Sequence, residues 1–187
     1  MVPRALESLR QEHRHMQKLL DLLGRQIGLV AEGREPDTGL VFEIADYFRS
    51  YPDLYHHPKE DLIARVLMAR LPAAAEELGG LDAEHEEGSH ELIRFCHALV
   101  DFSMNPENGR DAFLTAARAF HGHECRHMAW EEERFFATAE QALLEEDWLE
   151  IDARLARLTV PDFKNDMRAR FSRLGRELDR WRGNSAA

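Results

Sequence analysis

The chain has 187 residues, 44% apolar and 32% charged, with 11 Gly, 7 Pro and 2 Cys. These are the proportions of one medium-sized globular domain with a real core, and they exclude a disulfide scaffold or a cysteine-rich metal knuckle. A net charge of −11 repels phosphate backbones and anionic lipid, so no nucleic acid or membrane partner is expected, and without an 18-residue apolar run or a secretory leader the expected location is cytoplasmic.

Apolar residues follow helical spacing nearly everywhere, which predicts an all-α protein. Leu6, Leu9, Met16, Leu20, Leu23 and Ile27 mark the buried stripe of a first helix that starts after Pro3 and stops before the turn at 32–36. Asp37 or Thr38 caps a second helix running to about Leu71, kinked where Pro52 and Pro58 remove backbone donors. A third helix opens at Pro72, crosses Gly79-Gly80 and stops before Asn105-Pro106. A fourth spans about 107–145, and two shorter helices, about 147–158 and 162–182, follow. The simplest assembly is an up-down-up-down four-helix bundle over residues 1–145, with residues 146–187 as two additional C-terminal helices packed on its outside.

Charge and histidine are unevenly placed. From Glu146 onward 9 Lys/Arg face 8 Asp/Glu, so the acidity sits in residues 1–145, together with all 10 histidines. The same region carries an internal echo. Gln11-Glu12-His13 recurs as Ala83-Glu84-His85 after 72 residues, and His56 to Glu60 recurs as His127 to Glu131 after 71. Helices one and two are thus repeated as helices three and four, and a repeat of this kind in a bundle lets the two copies face each other across the core.

Residues i and i+4 share a helix face, so His56 with Glu60, and His127 with Glu131, each form a two-donor unit. His13 lies on the stripe of Leu6, Leu9, Met16, Leu20 and Ile27, and His85 on that of Leu78, Leu81, Leu92 and Leu99, so both point inward. An unpaired polar group costs roughly 2–7 kcal/mol to bury, and a charge more. Four imidazoles and two carboxylates in one core therefore require a compensating cation. Nitrogen and oxygen donors without thiolate suit Fe, Mn, Zn or Cu, and six ligands from four helices suit two ions with open positions better than one tetrahedral zinc.

In order and spacing, His13, then His56-His57-Pro58-Lys59-Glu60, then His85, then His127-Met128-Ala129-Trp130-Glu131 resembles the hemerythrin-like (HHE cation-binding) family, over residues 1 to about 145. The resemblance implies two non-haem iron ions, with Mn or Zn as substitutes, oxo- or hydroxo-bridged and able to bind dioxygen, nitric oxide or peroxide. Oxygen-carrying hemerythrins bear a His-x-x-x-His pair on the third helix. Here Ser89 follows His85 at that position, which implies a more open centre than a reversible carrier has. His123, one turn before His127, is a further candidate as seventh donor or as hydrogen-bond partner of a ligand.

The metal set expected is therefore His13, His56, Glu60, His85, His127 and Glu131. His15, His57, His90 and His97 fall off the selected stripes or duplicate a ligand and are expected in solvent or between helices. Cys96 and Cys125 read as small buried hydrophobes, and Tyr47, Tyr51, Tyr55 and Trp130 as packing near the site. A rival ligand set, the ferritin-like Glu-x-x-His, appears as Glu124-x-x-His127 with an Asp53-x-x-His56 variant. The functional expectations are binding or sensing of a diatomic ligand, stress response or iron handling, against an enzyme that reduces peroxide or oxidises iron, against a purely structural metal.

Overall fold

The computed structural model describes residues 3–73, 80–157 and 174, and among them all regular structure is helical. Helix α1, Arg4–Ala31, begins directly after Pro3 and buries the expected stripe. It ends where Gly33 takes φ of +76°, a left-handed turn that only glycine adopts without strain, and where Arg34 N–H returns to the Leu29 carbonyl at 2.8 Å. Asp37 caps helix α2, Thr38–Tyr51, by accepting from Leu40 N–H at 3.1 Å.

The second expected helix is not continuous. The chain passes through a widened π-type turn, Pro52–His56, before helix α3, His57–Arg70. Pro52 and Pro58 have no N–H to give to the preceding turn, and the backbone closes one residue wider, with His57 N–H reaching the Pro52 carbonyl.

The expected third helix is described in part: Pro72 and Ala73 lie in a turn, residues 74–79 fall outside the described residues, and helix α4, Leu81–Met104, follows Gly80. Asn105 then caps helix α5, Pro106–Trp130, accepting from Asn108 N–H at 3.3 Å. The α4–α5 connection is tight enough that a Cβ on Gly109 would lie 2.6 Å from the Phe102 backbone.

The expected helix to residue 145 is broken twice. A second widened turn, Glu131–Phe135, follows α5 and leads into helix α6, Phe136–Ala142. No proline accounts for it, but its phase shift buries Phe135 and Phe136 together. Leu143 and Leu144 are then extended, and helix α7 runs from Glu145 to Leu155. Asp147 fixes that break, accepting from Leu144 N–H at 2.8 Å and from Arg70 at the end of α3. Of the expected 162–182 helix only Leu174 lies among the described residues, where it is helical and buried.

Helices α1, α2, α4 and α5 touch in a closed ring: α1 on α2, α2 on α4, α4 on α5 and α5 on α1. Helix α3 packs on α6 and α7, and α7 on α1. Two apolar clusters fill the interior. One holds Met16 to Val30 of α1 with α2 and the apolar faces of α4 and α5; the other holds Ala5, Leu6 and Leu9 with α3, α6, α7 and Leu81. Along each of four helical stretches the gap between clusters is filled by histidine or glutamate: His13 between Leu9 and Met16, His56 and Glu60 between Tyr51 and Leu62, His85 between Leu81 and Leu92, His127 and Glu131 before Phe135. A polar layer thus crosses a core that is apolar on both sides of it.

Candidate metal centre

Two imidazoles in the layer are aimed by carboxylates from neighbouring elements. His13 Nδ1–H donates to Glu132 Oε1 at 3.0 Å, and His56 Nδ1–H donates to Glu12 Oε2 at 3.0 Å. Glu12 is itself held by Lys59 and by Ser8 Oγ–H at 2.8 Å. With both Nδ1 atoms committed as donors, the neutral rings present bare Nε2 lone pairs, and these two Nε2 atoms lie 3.0 Å apart. Two facing lone pairs repel unless a proton or a cation sits between them.

The carboxylates converge on the same point. Glu60 and Glu131 are fully buried at 0% exposure, and none of their four oxygens has a hydrogen-bond partner. Glu60 Oε1 lies 3.1 Å from His56 Nε2 while its Oε2 lies 3.5 Å from His85 Nε2. Glu131 Oε2 lies 3.2 Å from His13 Nε2 while its Oε1 lies 3.0 Å from His127 Nε2. Each carboxylate therefore spans two groups of imidazoles, one oxygen to each.

The two groups are distinct. His13, His56, Glu60 and Glu131 form a buried set that can hold a metal ion, with ligand atoms within 4.8 Å of one another; His57, His85 and His127 form a second set by the same measure. Donors about 2.1 Å from an ion and about 90° apart are themselves about 3 Å apart, which is the spacing of the closest pairs here. All six residues expected from the sequence are brought together.

His57 lies half-buried between helices, as expected, and there it joins the second group. It stacks on His85 with ring centroids 3.8 Å apart, and its Nδ1–H donates to Asp53 Oδ1 at 3.1 Å. Asp53 is exposed and so engaged, and does not reach the carboxylate layer. Of the other off-stripe histidines, His15, His90 and His97 are exposed, as expected. Cys96 and Cys125 are half-buried free thiols, packed against the first cluster. Glu12 and Glu132, the partners of His56 and His13, were not anticipated as such. The signal for both is their position, one residue before His13 and one after Glu131.

Charge in the layer is balanced by protons when no cation is present. Burial opposes a charged His56, but Glu60, Glu12 and Glu131 outweigh it and raise its pKa to about 10. His85 rises to about 9 because Glu131 and Glu60 overcome the same burial. Burial pushes Glu131 up, yet the surrounding imidazoles hold it well below the ordinary carboxylate value. A divalent cation would replace those protons as the counter-charge.

Beside the second group lies a cavity of about 40 Å³, lined among others by His85, Gly88, Ser89, His123, Glu124 and His127. One water needs about 10–15 Å³ of such space, so small molecules can enter beside the second group. His123 is buried, its ring parallel to that of His127 at 5.9 Å, and Gly88 makes room for it: a Cβ there would lie 2.9 Å from His123 Nε2. Glu124 faces the same space, and burial raises its carboxyl to about 7. No protein-family model, curated protein or solved structure matches the chain. No helix among the described residues is long and apolar enough to cross a membrane.

Proposed function

We propose that the protein is a hemerythrin-like four-helix bundle in which His13, His56, His85, His127, Glu60 and Glu131 would hold two non-haem iron ions, and that it binds a small oxygen- or nitrogen-containing ligand there. The observation that carries this reading is the set of four unpartnered, fully buried carboxylate oxygens facing imidazole nitrogens at 3.0–3.5 Å. Buried carboxylates left without hydrogen bonds are strongly destabilising unless a cation joins them.

His13 and His56 would hold the first ion and His85, His127 and His57 the second. Such a pair of ions supplies Lewis acidity and one-electron redox chemistry to a bound ligand. The chain's own residues do the rest. Glu12 and Glu132 orient His56 and His13, and the apolar clusters on both sides exclude bulk water. The cavity against His85 and His127 gives a small ligand such as dioxygen, nitric oxide or peroxide a place beside the second ion. The Ser89 position, where a histidine would fill the space, supports a ligand side at the second ion.

The test is metal analysis of protein purified without added metal, with optical spectra before and after peroxide. Two iron ions per chain and a peroxide-dependent charge-transfer band are expected. A chain without bound transition metal, or one whose metal content survives Glu131→Gln unchanged, would overturn the reading. Glu124→Gln separates the ferritin-like ligand set, because only there does iron content fall with Glu124.

A further inference from the structure

The cavity of about 40 Å³ beside the layer meets only one half of it. His57, His85 and His127 line it, whereas His13, His56, Glu60 and Glu131 do not. That first group is buried, and apolar clusters lie on both sides of the layer. The same cavity is also lined by Asp53, Glu84 and Ser89, all of them exposed. It therefore leads from an acidic mouth at the surface to the imidazoles of the second group.

His123 and Glu124 complete its polar lining. His123 is 5% exposed, and its Nε2 has no hydrogen-bond partner among the described residues. His127, whose ring lies parallel to it, has neither ring nitrogen hydrogen-bonded. His123 Nε2 and Glu124 Oε1 converge on one place: a Cβ on Gly88 would lie 2.9 Å from the nitrogen and 3.3 Å from the oxygen. Glycine is a poor helix former, yet Gly88 lies within helix α4, and its missing side chain keeps that place open. A buried imidazole nitrogen without a partner is costly, so packing alone does not account for His123. An imidazole nitrogen beside a carboxylate oxygen is a donor pair suited to a transition-metal cation.

We propose that this cavity is the passage by which a divalent transition-metal cation enters the layer, with Glu124 and His123 as a transit site on the way to His85 and His127. It rests on the reading that the layer holds cations. Asp53 and Glu84 at the mouth attract the hydrated cation, and the apolar walls at Phe48, Leu92 and Phe120 concentrate their field. The space holds only a few waters at about 10–15 Å³ each. The cation therefore sheds hydration water as it advances, and Glu124 Oε1 and His123 Nε2 replace part of it. The first group fills through the second.

The test mixes the metal-free full chain with cobalt(II) in a stopped-flow spectrometer and follows the cobalt d–d absorption. Cobalt per chain at equilibrium and helicity are measured alongside. Native uptake is expected to slow with rising salt. Glu84→Lys is expected to slow it about tenfold at low salt and to remove most of that salt dependence. Glu124→Gln and Gly88→Ala are each expected to slow uptake severalfold at unchanged cobalt content. Uptake as fast as native in either Glu124→Gln or Glu84→Lys overturns the passage alone, as does equally fast uptake by a Gly88→Ala chain of native helicity. Loss of cobalt at equilibrium in Glu124→Gln also overturns it, because Glu124 is then a ligand of the layer. A chain that binds no cobalt overturns the cation reading and the passage with it.

Discussion

The two halves of the buried His/Glu layer carry the same side-chain spacing but different surroundings. In the first half both imidazoles are braced by carboxylates outside the layer, His56 by Glu12 and His13 by Glu132. In the second half His127 has neither ring nitrogen hydrogen-bonded, His85 Nε2 is likewise unpartnered, and a cavity lies alongside. Glu84, which occupies the position in the repeat that Glu12 holds in the first half, is exposed and braces neither. Carboxylate partners fix a ring's orientation and raise its basicity as a ligand. The repeat thus keeps the same side chains and varies their support, leaving one side braced by carboxylates and one side with a cavity beside it.

Breaking the shared element should produce the largest effect. Glu131→Gln removes a charge from both groups at once, and both ions are expected to be lost, as read by metal per chain. Retention of one ion would mean the two groups do not share that carboxylate. His127→Ala should be selective, losing the second ion while the first remains near one per chain. Equal loss of both would erase the distinction between the sides.

The supporting residues sharpen the comparison further. Glu12→Gln is expected to weaken the first ion by about 10–100-fold, whereas Glu84→Gln leaves both unchanged, although the two residues are equivalent in the sequence echo. Competition with a chelator measures both.

The smallest effect concerns pH. In the metal-free chain the pKa of His56 is about 10 against an ordinary 6.5. A raised value means that its stabilising contribution is complete below pH 6.5 and is lost as pH rises toward 10. Denaturant midpoints of metal-free protein should therefore fall across that window, while those of metal-loaded protein should not, because the ion has displaced the proton. Equal slopes for both forms would contradict the displacement.

The sequence made the convergence of the six side chains legible because i to i+4 spacing and helical phase need only local helicity, and because the echo supplied an independent alignment. The approach of His57 to them was not legible for a related reason. Phase counting through Pro52 assumes 3.6 residues per turn, and the widened turn Pro52–His56 breaks that count, so His56 is buried while its neighbour His57 is half-buried against His85. The same failure hid the second widened turn, where no proline signals it, and the break at Leu143–Leu144, whose cause is a long-range contact between Asp147 and Arg70. Asn105 and Pro3, by contrast, are local signals, and the helix boundaries beside them were readable from the chain alone.

The most direct measurement is a calorimetric titration of the metal-free chain with ferrous iron under anaerobic conditions, with proton release followed in two buffers of different ionisation enthalpy. The expected result is two ions bound per chain in unequal steps, the tighter one surviving His127→Ala, and protons released on uptake. Saturation without proton release, or no uptake at all by a chain that is fully helical, would contradict the idea that this buried layer exists to hold cations.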